Sequence, residues 1–306
     1  MASARIHLLD IGTKPYGDCL VLRFDTGGDP ISVIVDGGHS VDKDKLVEQF
    51  GDIFGSTRPF EFDLMIISHG HLDHIGALPW LVDRGDITVK HALIPDPKMT
   101  FGPEADTDAA IPEPVMQAIA VLREEPVHEL LDSDALVEFA VDAIGTAERY
   151  DKMIGKLEDA GTQVVLFGNP DSAAAQASLV AEFAPIGFQI LGPSQAALDR
   201  SSALLFDVVN DAISQGIALV DDGLDSAETF NGLLDDESRA GNLVNAQSTV
   251  CMFELPTAQG PRRILLGGDY QFEDIERDDD ILETERSRLL QKITQHAPYA
   301  LSLIHI

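Results

Sequence analysis

The stretch Ser68-His69-Gly70-His71-Leu72-Asp73-His74-Ile75-Gly76 is the most informative part of the chain, and it directly follows the apolar run Leu64-Met65-Ile66-Ile67. It places three imidazoles and a carboxylate within six residues, at the end of a predicted buried strand. Neutral imidazole nitrogens and carboxylate oxygens are the usual ligands of zinc and related divalent ions. The stretch therefore predicts a metal site at the end of that strand.

The spacing of these residues suggests how they are arranged in space. His69 and His71 lie two residues apart in an extended or turning segment, so their side chains can point in the same direction. Asp73 and His74 follow at the turn into a helix, where they can face a second ion beside the first. The alternative is a polar turn with merely solvated histidines. It requires a chance arrangement that we put at about one in a thousand chains of this length, so the metal site is favoured.

Turns rich in glycine and aspartate accompany this motif in both halves of the chain. The predicted opening strands lie in Ile6–Gly12, Gly17–Phe24 and Ile31–Gly38, and a later block comprises Asn245–Leu255 and Arg263–Asp269. Together with the HxHxDH motif, these segments resemble the metallo-β-lactamase superfamily. Their LDIG, GD, DGG, NxxS and GGD sequences are most similar to the competence-type (ComEC-like) branch of that superfamily.

The resemblance covers about residues 5–95 and 240–275. It implies an α/β fold, the αββα metallo-β-lactamase sandwich with a helical insertion. We expect a single domain over residues 1–306, with a helical and loop elaboration at about 98–240. By analogy with relatives, that elaboration shapes the substrate pocket.

The carboxyl terminus departs from the family pattern. Relatives continue after the Gly-Asp turn through a helix and a strand to a ligand histidine. Here the chain closes with Leu301–Ile306, a sequence that also resembles read-through into a sequencing adapter. We therefore expect a C-terminally truncated chain that lacks the last elements of the fold, and we assign no ligand role to His305.

The resemblance also implies two divalent metal ions, with zinc as the first choice and manganese or iron as alternatives. His69 and His71 would hold one ion and Asp73 and His74 the second, with Asp269 bridging the two. The ions would share a hydroxide, because they lower the pKa of its parent water toward neutrality. Asp73 and His71 are then the catalytic residues, Asp73 orienting the hydroxide through a hydrogen bond. Considered alone, Asp269 is equally compatible with a turn residue after two glycines.

Three further residues are candidates for a place around the metals or the substrate. Asp36, in the DGG sequence, either accepts the ring N–H of a metal-bound imidazole or simply forms the turn. Asn245 and Ser248 occupy the block in which many relatives carry a third histidine for the first ion. No histidine lies between Leu130 and Ala240, so that ligand is absent from this chain.

The charge of the chain limits its partners. Its 21 lysines and arginines stand against 52 aspartates and glutamates, for a net charge of −31. Nucleic-acid-binding surfaces are generally basic, so extended duplex nucleic acid is disfavoured, although bound divalent ions would supply local positive charge. A small molecule or a compact phosphodiester remains as the substrate.

Other features of the composition concern the compartment. No apolar run approaches the ~20 residues that span a bilayer, and no signal-peptide core precedes the first strand. We therefore expect a cytoplasmic protein with no membrane partner. Cys19 and Cys251 fall in predicted buried strands, where unpaired thiols are common in cytoplasmic proteins.

Three functions are compatible with these features. The first, favoured by the NxxS and GGD sequences, is metal-dependent hydrolysis of a phosphodiester, in nucleic acid or a nucleotide. The second is hydrolysis of an ester, thioester or lactam at the same site, since hydroxide attack serves both reaction types. The third is a non-catalytic metal-binding or regulatory module whose metal is structural.

Hydrophobic periodicity predicts the remaining elements. The predicted strands cover residues 5–11, 18–25, 31–36, 64–67, 87–95, 163–167 and 186–191. The predicted helices cover residues 41–54, 74–82, 135–160 and 195–215, and residues 221–241 are predicted to form a surface loop or lid.

Overall fold

The computed structural model describes residues 2–11, 17–55, 57–100, 148–207, 242–257, 260–270, 279–297 and 301–303. The strands are β1 (Ser3–Leu8), β2 (Leu20–Asp25), β3 (Ile31–Val35), β4 (Phe60–Ile66), β5 (Ile87–Pro95), β6 (Gln163–Phe167), β7 (Gln189–Gly192), β8 (Val250–Leu255), β9 (Arg262–Leu266) and β10 (Leu301–Leu303). The helices are α1 (Lys43–Phe54), α2 (Leu72–Ile75), α3 (Leu78–Asp83), α4 (Pro97–Thr100), α5 (148–159), α6 (Ala173–Glu182), α7 (195–207), α8 (242–245) and α9 (Asp280–His296). Short 3₁₀ turns cover Ser40–Asp42, Pro170–Ser172 and Ala184–Ile186.

The strands form two sheets. The first has the order β1-β2-β3-β4-β5-β6, with β1, β2 and β3 antiparallel and the strands from β3 to β6 parallel. The second has the order β10-β9-β8-β7, in which β10 runs parallel to β9 and the other pairs are antiparallel. Parallel strands require crossover connections, and α1 and α3 supply those between β3, β4 and β5.

Alternation along the strands divides the core into three layers. In β2, Leu22 and Phe24 belong to the layer between the two sheets, whereas Val21 belongs to the layer beneath the helices of the first sheet. In β8, Phe253 joins the inter-sheet layer and Met252 joins the layer on the far side of the second sheet. The rings of Phe24 and Phe253 lie 5.1 Å apart across the sheets. Because successive side chains in a strand face opposite sides, each strand serves two layers.

Helices cover both outer faces of this sandwich. On the first sheet, Phe50 of α1 packs edge-on against Phe60 and Phe62 of β4. Tyr150 of α5 is buried in the same layer, and its hydroxyl donates to the carbonyl oxygen of Pro95 at 3.0 Å. On the second sheet, α7, α8 and α9 supply the outer layer. The order of layers is helix, sheet, sheet, helix, which confirms the predicted αββα sandwich.

One predicted helix is divided in two. We expected a continuous helix over residues 74–82, but α2 ends at Ile75 and α3 begins at Leu78. The N–H of Ala77 donates to the carbonyl oxygen of Gly38 at 3.2 Å instead of continuing the helical ladder. Pro79 has no N–H to donate to the preceding turn, so it is tolerated only in the first turn of the new helix.

The segment at about 98–240, predicted to be an elaboration, contributes to both sheets. Its strands β6 and β7 lie at the edges of the first and second sheets. The helix predicted over 135–160 is present at residues 148–159, and the one predicted over 195–215 is present at 195–207. The rest of these two helices and the predicted lid at 221–241 lie outside the described residues.

Helix α6 was not predicted, because its apolar stripe is weak. Only Leu179 of its side chains is fully buried, and alanine supplies much of the rest. Alanine has the highest helix propensity but leaves little periodic pattern to read.

After β9 the chain continues through α9 into β10, whose residues pair with Ile264–Leu266. The helix and strand that the family resemblance places after the Gly-Asp turn are therefore among the described residues, whereas His305 lies outside them. Both cysteines are buried and unpaired, Cys19 beneath the helices of the first sheet and Cys251 between the sheets. Within the described residues, no helix has the length and apolar character to cross a bilayer.

The break between α2 and α3 can be tested at Gly76. A Cβ there would lie 2.5 Å from the oxygen of Leu72, 2.7 Å from the nitrogen of Ser40 and 2.9 Å from the oxygen of Gly38, all backbone atoms that cannot rotate away. We expect Gly76→Ala to lower the free energy of unfolding by about 1–3 kcal/mol. Gly51 in α1 is the control, because a Cβ there meets nothing within 4 Å.

Gly51→Ala should leave the free energy of unfolding unchanged or raise it by about 0.5–1 kcal/mol. Urea denaturation of both variants makes the comparison. Equal stability of the two variants would show that the turn at Gly76 tolerates a side chain, which would contradict the close packing described here.

Candidate metal centre

The candidate site lies where the ends of four strands meet. Asp36 directly follows β3, and the HxHxDH loop follows β4 in the same sheet. In the second sheet, Ser248 and Thr249 precede β8, and Asp269 follows β9. The N–H of Thr249 donates to the carbonyl oxygen of Ser68 at 2.8 Å, and this hydrogen bond connects the start of the HxHxDH loop to the second sheet. The site therefore draws its residues from both halves of the sandwich.

Main-chain hydrogen bonds hold the loop against two turns rich in glycine and aspartate. The N–H of Gly37 donates to the carbonyl oxygen of His74 at 2.6 Å, and the N–H of Asp18 donates to that of Asp73 at 3.0 Å. His71 is extended and immediately precedes α2. Asp18 of the GD sequence and Gly37 of the DGG sequence therefore hold the backbone of Asp73 and His74 in place.

His69 and His71 form one converging pair. Nε2 of His69 lies 2.9 Å from Nδ1 of His71, and their ring centroids are 4.7 Å apart. Burial lowers the pKa of His69 well below its usual value, and the neighbouring His74 and His71 lower it further. Burial likewise lowers the pKa of His71, although Asp73 and Asp269 oppose that shift. Both side chains therefore favour the neutral form, which is the form that binds metal ions.

His74 lies between two carboxylates. Its Nε2 is 3.6 Å from Oδ2 of Asp73 and 3.6 Å from Oδ2 of Asp269. Ligand atoms of His69, His74 and Asp269 all lie within 4.8 Å of one another. Burial pulls the pKa of His74 down, but Asp36, Asp269 and Asp73 outweigh it, so the pKa is raised well above its usual value. Negative charge around this imidazole therefore favours a cation at the site.

Asp36 contacts Nδ1 of His74, whereas Asp73 and Asp269 lie near Nε2 of the same ring. Its Oδ2 accepts from Nδ1 of His74 at 3.0 Å and from the hydroxyl of Ser68 at 2.8 Å, and its Oδ1 accepts from the N–H of Ser68 at 2.7 Å. Its backbone has a φ of 57°, a left-handed conformation that aspartate tolerates better than most residues. Asp36 therefore both forms the turn and contacts an imidazole of the cluster.

The two residues in place of a third histidine lie beside the cluster. Asn245 is 9% exposed, and its side chain acts to raise the pKa of the nearby His71. Ser248 is fully buried, and its hydroxyl has no hydrogen-bond partner among the described residues. It lies close to Gly268, where a Cβ would come 3.3 Å from Ser248 Oγ and 2.6 Å from Cβ of Ser68. Glycine at 268, with a φ of 52°, is therefore required for the close approach of the turn before Asp269.

All the residues proposed from the sequence thus lie in one neighbourhood. The sequence did not single out Ser68, although its hydroxyl contacts Asp36, His69 and His74. The available signal was its position, a hydroxyl residue directly before the first histidine of the motif.

Comparison with known proteins supports the class of fold. Residues 13–149 match the family model of the metallo-beta-lactamase superfamily. The match includes the HxHxDH motif and ends before Asn245, Ser248 and Asp269. No curated protein and no solved structure gave a match.

Together with the two sheets and their outer helices, this match is consistent with the αββα sandwich of the metallo-β-lactamase superfamily. Members of that superfamily are generally hydrolases and usually bind divalent metals. The cluster of His69, His74 and Asp269 could hold such a metal.

The contacts of Asp36 lead to a prediction for the metal-free protein. Asp36→Ala leaves the buried N–H and hydroxyl of Ser68 and the ring of His74 without their acceptor. Because an unsatisfied buried polar group costs about 1–3 kcal/mol, we expect a loss of about 3 kcal/mol in the free energy of unfolding. Asp25→Ala is the control, since within the described part of the chain that exposed carboxylate accepts only from the N–H of Gly27. It should cost less than about 1 kcal/mol by urea denaturation. Similar losses for both variants would contradict the role of Asp36 as a buried acceptor.

Proposed function

We propose that this protein is a metal-dependent hydrolase and that its substrate is a phosphodiester, a nucleotide or a short nucleic acid. The observation that carries the proposal is the convergence of three imidazoles and two carboxylates at the edge of a metallo-β-lactamase sandwich. His69 and His71 approach to 2.9 Å, and His74 lies 3.6 Å from each of the two carboxylates.

The residues present fit divalent ions. Imidazole and carboxylate are the donors that zinc, manganese and iron share, and both cysteine thiols are buried in the apolar layers of the core. His69 and His71 favour the neutral form that a metal ligand requires. Neighbouring carboxylates raise the pKa of His74 and so favour its protonated form, and an ion would take the place of that proton. We propose that His69 and His71 would hold one ion and Asp73 and His74 a second, with Asp269 offering its carboxylate to both.

When bound, divalent ions at such a site lower the pKa of water and polarise the oxygen of the bond under attack. The protein contributes orientation and proton transfer. Asp73 has the more exposed side chain of the two carboxylates, 34% against 23% for Asp269, so it can face an attacking water. We assign Asp73 the orientation of that water and the acceptance of its proton. The extended backbone of His71, immediately before α2, places its imidazole beside that of His69.

The choice of a phosphodiester rests on the sequence block that surrounds Asp269. The NxxS and GGD sequences are similar to those of the competence-type branch, and Asn245 and Ser248 lie near His71 and the turn before Asp269. The net charge of −31 disfavours an extended duplex, whose many phosphates need a basic surface. A compact substrate with one or few phosphates is compatible with that charge.

Metal content is the first test. We expect about two zinc ions per chain, by plasma mass spectrometry of protein purified without chelator. His71→Ala and Asp73→Ala should each lower the metal content or the zinc affinity while the fold persists, because the sheet core does not depend on these side chains. His296→Ala is the control, since His296 ends α9 on the outer face of the second sheet. A wild-type protein that binds no divalent metal would overturn the proposal.

Substrate class is the second test. Wild-type protein should hydrolyse bis(p-nitrophenyl) phosphate or a cyclic nucleotide faster than a thioester, an ester or a lactam. His71→Ala and Asp73→Ala should lose at least about 100-fold in turnover, because both belong to the reacting machinery. A preference for the thioester, ester or lactam would replace the phosphodiester assignment. A metal-loaded protein that turns over none of these compounds would favour the non-catalytic module.

A further inference from the structure

We propose that Ser68 is a positioning residue that connects the buried carboxylate of Asp36 to His69 and fixes the ring N–H of His69 on Nδ1. Nε2 of His69 is then left with its lone pair toward the site. This inference rests on the proposed function, since it concerns the imidazole that would bind the first ion. Ser68 has no role in the sequence pattern of ligands, and it is assigned here from its contacts alone.

The contacts of the Ser68 hydroxyl are short and enclosed. Its Oγ lies 2.8 Å from Oδ2 of Asp36, 2.9 Å from Nδ1 of His69 and 3.4 Å from Nδ1 of His74. Ser68 is 2% exposed, and His69 is fully buried. Water therefore has no access from which to replace the hydroxyl as the partner of His69.

The chemistry of the donors decides the direction of these bonds. A hydroxyl has one proton to donate, and an ionised carboxylate can only accept, so the Ser68 proton goes to Asp36. Toward His69, Ser68 Oγ can then only accept, and Nδ1 of His69 must carry the ring proton. A neutral imidazole has a single N–H, so Nε2 is left as an acceptor. That Nε2 is the atom 2.9 Å from Nδ1 of His71, on the side where the two imidazoles converge.

One carboxylate thereby orients two histidines by two routes. Asp36 accepts directly from Nδ1 of His74 at 3.0 Å, and it acts on His69 through Ser68. In both rings Nδ1 faces Asp36 or Ser68 and Nε2 faces the site. Partners that fix the ring proton of a ligand histidine commonly change metal affinity by about 10–100-fold when they are lost.

Packing around Ser68 keeps the hydroxyl in this position. Its backbone N–H donates to Asp36, its carbonyl oxygen accepts from Thr249, and its Cβ touches the turn at Gly268. Residues that follow or precede β3, β4, β8 and β9 therefore all contact this one serine. These contacts hold the backbone and Cβ of Ser68 in place, and the bond to Asp36 directs its hydroxyl.

The test combines the tautomer of His69 with zinc affinity, in Ser68→Ala, Ser68→Thr and a control. Ser201→Ala is the control, because Ser201 is equally buried but donates only to the carbonyl oxygen of Leu198. Long-range ¹H–¹⁵N correlation of the histidine rings in metal-free protein, at mildly alkaline pH, should show His69 with its proton on Nδ1 in the wild type. Competition with a chelating dye then measures zinc affinity.

We expect Ser68→Ala to shift His69 toward the tautomer with its proton on Nε2 and to weaken zinc binding by about 10–100-fold. Ser68→Thr, which keeps the hydroxyl, should restore the Nδ1 tautomer and most of the affinity, and Ser201→Ala should change neither. The inference is overturned if wild-type His69 carries its proton on Nε2, a measurement that needs no variant to fold. It is also overturned if Ser68→Ala changes neither the tautomer nor the affinity.

A failure of the proposed function has a different signature. Wild-type protein would then bind no zinc even though His69 carries its proton on Nδ1. In that case the hydrogen bonds of Ser68 would remain, and the metal assignment would be wrong.

Discussion

The carboxylate of Asp36 accepts hydrogen bonds from the backbone and hydroxyl of Ser68 and from the ring of His74, in a position that is 2% exposed. These bonds join the end of β3 to the loop after β4, which carries the three histidines. A buried carboxylate without partners costs several kcal/mol, so the loop must present its donors to Asp36 whenever the sandwich is packed. This single constraint sets the direction of both His74 and, through Ser68, His69.

The remaining part of the site depends on the contact between the sheets. Asp269 and Ser248 come from the second sheet, whereas the histidines come from the first. The inter-sheet layer, with Phe253 between Phe24 and Phe188, holds the two in register at ring distances of 5.1 and 5.2 Å. The cluster of histidines and carboxylates is therefore assembled by packing of the whole sandwich, and the hydrogen bond from Thr249 to Ser68 joins the two sheets at the cluster itself.

Much of the first sheet could be predicted from sequence because its strands are short apolar runs separated by glycine and aspartate. The HxHxDH motif is compact, so its ligands could be recognised without knowledge of the fold. Asp269 and Asn245 are far away in sequence, and only the family resemblance placed them near the histidines. Helix α6 lacks a strong apolar stripe, and the break at Gly76 depends on backbone atoms of the distant turn at Gly38–Ser40. Backbone contacts between distant turns produce no hydrophobic periodicity in the sequence.

The role of Ser68 also could not be predicted from the sequence. The direction in which its hydroxyl donates is decided by Asp36, which lies over thirty residues earlier in the chain. The sequence is compatible with two roles for Asp36, turn former and acceptor of a ring N–H. Asp36 has both roles in the structure. Its left-handed backbone forms the turn, and its carboxylate accepts from the ring of His74 in the HxHxDH loop.

Zinc K-edge X-ray absorption of the zinc-loaded protein tests the central claim most directly. We expect a coordination shell of nitrogen and oxygen alone, with the outer-shell scattering typical of imidazole, because both cysteines are buried in the apolar core. A shell that contains sulfur, or one of oxygen alone without imidazole scattering, would contradict the assignment of the histidine cluster as the metal centre.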